Sequence, residues 1–191
     1  MKTRGFVVTA VAAMSIGWVG RSVFPDDPPK PPAENDWAKF GQPGEEHARL
    51  KALVGEWNVV GEFDGGDGSM TKSEATSSIT MILGDRYLRQ EVHGSVAGTA
   101  FEGRGLIGFD KGSKKWFSLW VDSGGTGLLV SDGVENEKGK CWTFKGSFNG
   151  PAGPIAERDV ITITGENEFT QVGYMGGGEK PTMTLKATRK K

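Results

Sequence analysis

From residue 56 onward, apolar and polar residues alternate with a period of two, the spacing of strands that turn one face toward a core. The pattern predicts ten strands, over 56–63, 71–82, 86–94, 99–109, 115–122, 126–134, 140–148, 157–165, 167–175 and 180–189. Turn-forming groups separate them, among them Gly84-Asp85, Asp110-Lys111-Gly112, Ser123-Gly124-Gly125 and Gly176-Gly177-Gly178. No connection has room for a crossover helix, so consecutive strands must pair antiparallel. A meander of this length leaves two exposed edges unless it closes on itself. The expected fold is all-β: an antiparallel up-and-down barrel of about ten strands, with one short N-terminal helix. A two-sheet β-sandwich is the alternative, and pairing of the first strand with the last separates the two.

The helix is expected just upstream. Pro43 and Gly44 open it, Glu45 and Glu46 suit the positive end of a helix dipole, and His47, Leu50 and Val54 share a stripe. Gly55 is placed to end it as a C-terminal cap. Before that, residues 24–36 carry five prolines, which prevent helix and central strand and favour a stiff extended spacer. The chain therefore divides into a leader (1–24), a Pro-rich linker (25–41) and a barrel domain (42–191). In the leader, Lys2 and Arg4 precede an apolar run over residues 6–19, which reads as a secretory signal peptide or an uncleaved signal anchor. The protein is thus expected to be exported to the periplasm or beyond, or tethered to the inner membrane through residues 5–20.

Composition narrows the function classes. Thirty glycines are about twice the usual share of roughly 7%, which suits short strands, bends and tight turns. A net charge of -1 gives no general attraction to nucleic acid. Cys141 stands alone, so no internal disulfide and no Cys-based zinc site can form. His47 and His93 are isolated from carboxylates at ligand spacing, so no metal and no cofactor is expected. There is no Gly-x-Ser-x-Gly elbow, and the Gly-rich runs lack the Lys-Ser/Thr of a phosphate loop.

What remains is the strand over residues 116–122. Alternation puts Trp116, Ser118, Trp120 and Asp122 on one face, with Phe117, Leu119 and Val121 on the other. Both faces are apolar, so the pattern leaves the inward face open. If the tryptophans point inward, Asp122 stands at the mouth of an aromatic cavity. Arg104, flanked by Gly103 and Gly105, has room to lie across a sheet face and join Asp122 or Glu102 in an interior charged cluster. Arg158 could reach the barrel end.

Several motifs occur together in order: Pro43-Gly44-Glu45-Glu46-His47, Leu53-Val54-Gly55-Glu56-Trp57, Phe101-Glu102-Gly103-Arg104-Gly105, Trp120-Val121-Asp122-Ser123 with Thr126-Gly127, and Arg158-Asp159-Val160-Ile161. Their combination resembles the bacterial family called domain of unknown function 1579, over residues 42–191. Gly55-x-Trp57 is also similar to the entrance signature of calycin-type barrels, including the nitrobindin-like group. That likeness implies an interior cavity for a hydrophobic ligand or haem. Haem binding there needs a late axial histidine, and no histidine follows His93.

The candidate ligand-binding residues are therefore Trp57, Arg104, Trp116, Trp120, Asp122, Thr126 and Arg158. The favoured reading is a binding module for a small hydrophobic molecule. The alternatives are a solid structural or interaction domain of the cell envelope, and an enzyme in which Arg104, Asp122 and His93 converge. The oligomeric state is left open.

Overall fold

Period-two alternation becomes ten strands in the computed structural model, which describes residues 34–64 and 69–191. They are β1 (Gly55–Asp64), β2 (Met70–Ile82), β3 (Tyr87–Val96), β4 (Thr99–Asp110), β5 (Lys115–Asp122), β6 (Leu129–Glu137), β7 (Cys141–Gly150), β8 (Gly153–Gly165), β9 (Glu168–Met175) and β10 (Met183–Arg189). Each pairs antiparallel with the next. β1 also pairs with β10, from Trp57 opposite Arg189 to Phe63 opposite Met183, which closes the barrel and excludes the sandwich. Three strands depart from the pattern by three residues or more at an end: β6 runs over Leu129–Glu137, β8 starts at Gly153 and β10 starts at Met183. β6 starts later than expected because residues 123–128 form a loop, and β8 starts earlier because Gly150 and Gly153 pair across a tight hairpin.

Ahead of the strands come α1 (Glu34–Phe40), α2 (Glu45–Arg49) and a 3-10 turn (Leu50–Leu53). α1 occupies the end of the stretch assigned to the linker, past its last proline. It is held by Lys111, whose Nζ donates to the carbonyls of Lys39 and Gln42, and by Arg86, whose Nε donates to that of Gly41. The leader and the rest of the Pro-rich segment lie outside the described residues. So do the export and membrane-tether expectations that rest on them.

The expected helix over 43–54 forms in two pieces. In α2 the Gly44 N–H donates to His47 Nδ1 at 3.0 Å, so a side chain satisfies a backbone donor that the short helix leaves free. The chain then tightens into the 3-10 turn and enters β1. Gly55 is not a helix cap but the first residue of β1, at φ 149°, where a Cβ would run into the Arg189 guanidinium. Arg189 uses that space to donate from Nη1 to the Val54 carbonyl at 2.6 Å and to lie 4.2 Å over the Trp57 ring. The Gly-x-Trp pair thus joins the plug to the barrel.

The plug closes one end. His47, Leu50 and Leu53 are buried against the barrel floor. Aromatic rings fill the adjoining half: Trp57 meets Phe169 edge-on at 4.8 Å, and Trp116 meets Phe109 at 5.2 Å and Trp142 at 5.9 Å. An ion pair ties the helix to the strands. Arg49 Nε and Nη2 approach Glu135 Oε1 and Oε2 at 2.8 and 2.9 Å, and Glu135 also accepts the Gly139 N–H. Both side chains are largely enclosed, so Arg49→Met leaves a carboxylate without its partner. The expected cost is about 2 kcal/mol, reduced from the fully buried case by the remaining solvent contact, and urea unfolding measures it.

A candidate ligand cavity at the open end

Closure settles the faces of β5. Trp116 faces Phe109 and Gly133 across the sheet, and Trp120 faces Gly105 and Leu129, so the tryptophan face points inward. The plug-side half is packed, but the other half is not. A cavity of about 880 Å3 opens at the end opposite the helices. That is within the range of small-molecule sites and well above the few hundred Å3 below which a barrel would count as solid.

The void exists because the inner face carries small residues at this level. Gly103 and Gly105 of β4 and Gly146 of β7 have inward positions, as do Ser73 and Ser118. Their missing bulk also sets the position of Trp120. A Cβ on Gly103 would overlap the Trp120 ring, and one on Gly105 would come within 3.0 Å of it. The indole lies flat on the glycine strand. Its Nε1 donates to Asp122 Oδ2 at 2.7 Å, while Asp122 Oδ1 accepts the Gly124 N–H at 2.8 Å. Asp122 therefore couples the cavity wall to the mouth loop, whose residues Gly124, Gly125, Thr126 and Gly127 line the opening. Phe63, Val96, Phe101, Phe148, Met175 and Met183 are among the apolar residues of the wall.

Deeper in, the wall becomes polar. Gln90 Nε2 donates to Ser77 Oγ at 3.1 Å, and Gln171 Nε2 donates to Asp159 Oδ2 at 3.2 Å. Two residues before Asp159, on the same inward face of β8, stands Glu157. Burial and the neighbouring Asp159 carboxylate push the Glu157 carboxyl up to about 9. Asp159 is raised as well, by burial, against the hydrogen bonds from Glu157 and Gln171 that favour its charged form. The two carboxyls share a hydrogen bond, which requires one proton between them.

The residues anticipated as ligand contacts separate into three groups. Trp120, Asp122 and Thr126 line the cavity. Trp57 and Trp116 face inward but belong to the packed half, at 1% and 4% exposure. Arg104 and Arg158 do not enter the interior. Arg104 stands on the outer face, with Nε 3.2 Å from Glu91 Oε1. Arg158 stacks at 3.6 Å on the outward ring of Tyr174 and reaches Glu179. The glycines beside Arg104 make room for Trp120, not for the arginine. His93 is also outward, 3.8 Å from Glu102. An interior Arg/Asp/His cluster therefore does not form, because Asp122 lies on the opposite face of the sheet from the other two.

Glu157, Asp159, Gln90 and Gln171 stand outside the expected set of ligand contacts. A signal for two of them was present. Glu157 and Asp159 are in phase with Ile161 and Ile163, whereas Arg158 is in phase with Val160 and Thr162. Burial also holds the His47 imidazole below its ordinary value; its ring packs edge-on against Phe109 in the plug. Among the described residues, no group of three or more His, Cys, Asp or Glu side chains is placed to hold a metal ion.

A closed ten-stranded meander, plugged by a helix at one end and hollow at the other, is a calycin-like barrel. The chain belongs to the family described as "Protein of unknown function (DUF1579)", whose model matches residues 42–189. Among solved structures it is similar to an S-type phycobiliprotein lyase, CPES, from Guillardia theta. The two are 13% identical, with a TM-score of 0.54, over 81% of this chain and 97% of that one. The redesigned β-barrel mFAP1, solved bound to DFHBI, is 17% identical over 74% of this chain and 98% of its own, with a TM-score of 0.42. The likeness to the lyase speaks for the fold alone. No curated protein matches the sequence.

Proposed function

We propose that this barrel is a binding module that holds a small, largely apolar molecule in its open half. The observation that carries the reading is the cavity of about 880 Å3, walled by aromatic and thioether side chains and floored by a few fixed polar groups. Apolar walls supply the driving force, and sparse polar groups set orientation. Trp120 is held flat by Asp122 and the β4 glycines, so it presents a preformed ring to the occupant. With the leader read over residues 1–24, the module belongs outside the cytoplasm. Fractionation of cells expressing the chain with and without those residues tests that placement.

Titration with 1-pyrenemethanol, followed by fluorescence and calorimetry, tests binding directly. Saturable one-to-one binding is the expected result. Val92 lines the cavity, so Val92→Trp fills part of it and is expected to weaken binding by about tenfold or more, or 1.4 kcal/mol. Unchanged affinity in a variant that melts like the parent protein would remove the cavity as the site.

A further inference from the structure

The cavity is apolar, yet its charge is one-sided. Asp122, Glu157 and Asp159 line it, and no Lys, Arg or His side chain does so among the described residues. Asp122 is already engaged by Trp120 and Gly124 at the rim. Glu157 and Asp159 are not so engaged. Beyond the hydrogen bond within the pair and the Gln171 bond to Asp159 Oδ2, no N–H or O–H of the protein reaches their enclosed oxygens Glu157 Oε2 and Asp159 Oδ1. Even with one proton between the two groups, a negative charge stays inside a wall of poor solvation.

A second observation stands beside this pair. In the register of the sheet, Ser118, Ser131, Gly146 and Glu157 form one continuous inner row across β5 to β8. Ser131 is 1% exposed and its Oγ has no partner. It leans over Gly146, where an added Cβ would overlap it, and Gly146 leaves no side chain between Ser131 and Glu157. Buried polar groups are normally satisfied. Here two carboxylate oxygens of the cavity wall, and a hydroxyl in the neighbouring row that does not itself line the cavity, lie among too few donors.

We propose that the natural occupant carries a protonated nitrogen, as in an amine or amidine attached to an apolar body, and that this head docks on Glu157 and Asp159. The inference rests on the binding function proposed above and names the chemistry of its ligand. A cation supplies both the missing charge and the missing donors, and charge-assisted hydrogen bonds in an enclosed site are the strong ones. An anionic amphiphile such as a fatty acid meets like charge at the same depth and is rejected.

Three probes that differ only in the head group separate the possibilities: 1-pyrenemethylamine, 1-pyrenemethanol and 1-pyrenecarboxylate, titrated at pH 7 into the full chain. The amine is expected to bind about tenfold or more tighter than the alcohol, and the carboxylate about tenfold or more weaker. In Asp159→Asn, and in Glu157→Gln with Asp159→Asn, the three affinities should converge to within about twofold while the alcohol still binds. The amides match the carboxyls in shape, and the comparison on the unaltered protein stands without them. If the alcohol binds and the amine binds no better, the inference is overturned and the binding module survives. A preference for the amine that persists in the amide variants overturns the assignment to this pair. Failure of all three probes overturns the binding function itself, and this inference with it.

Discussion

Trp57→Ala is expected to destabilise the barrel by about 4 kcal/mol, the largest loss for any single truncation in the plug-side half. Trp57 is 1% exposed and does three things at once. Its ring packs against Phe169, its Nε1 donates to the Leu53 carbonyl at 3.0 Å, and its face carries the Arg189 guanidinium. Alanine leaves a void between the plug and the strands, a carbonyl at the end of the 3-10 turn without its donor, and an arginine without its platform. The plug should loosen before the barrel opens. Urea unfolding measures the loss, and amide hydrogen exchange over residues 45–54 measures the loosening. Trp57→Phe keeps much of the packing and removes the hydrogen bond, so it is expected to cost about 1–2 kcal/mol. Equal costs for the two variants would mean that packing area is not what holds the plug.

Stability is also expected to fall as pH rises from about 5 to 9, in contrast to proteins held together by ionised carboxylates. In the unfolded chain Glu157 loses its proton near its ordinary value of 4.5, while in the folded protein it keeps that proton up to about 9. Between those values the native state binds more protons than the unfolded state. The derivative of unfolding free energy with pH is therefore negative, and stability present below pH 4.5 is lost progressively as pH climbs through 9. Asp159 is shifted in the same direction by its burial and adds to the slope. One full proton sets a limit of about 1.4 kcal/mol per pH unit, reduced here by the partial solvation of the cavity wall. His47 acts oppositely. Its lowered value makes the native state resist protonation, so it removes stability as pH falls below 6.5. Glu157→Gln has no titrating group at that position and relieves Asp159 of its carboxyl neighbour, so its urea midpoints between pH 6 and 9 should lose most of the parental slope. A parental protein whose midpoints rise with pH over that range would contradict the shared proton.

The ligand chemistry and the pH dependence come from the same pair, which links function to stability. A cavity that keeps two carboxyls together without a cation is less stable than one with two amides. Proteins commonly carry such a cost where a partner arrives from outside.

The primary structure carried most of the architecture. Alternation from residue 56 onward and connections too short for helices permit only an antiparallel meander, and the pairing of β1 with β10 decided that it closes as a barrel and not as a sandwich. Gly55 and Trp57 were visible as a pair, though the reason for the glycine, the approach of Arg189 from β10, spans the whole domain. The three-dimensional structure alone decided which way the strands face. In β5 both faces are large and apolar, so local pattern is degenerate and only pairing with β4 and β6 turns the tryptophans inward. Arg104 shows the same effect. Beside it, Gly103 and Gly105 look like space for a long side chain, but Trp120 from the neighbouring strand takes that space and the arginine stays outside. Whether Glu157 and Asp159 meet solvent or a cavity depends on small residues on other strands, including Gly146 and Gly173. Alternation is a property of one segment and is carried by the chain itself. Inside and outside, filled and hollow, are properties of the closed sheet, where side chains far apart in sequence compete for one volume.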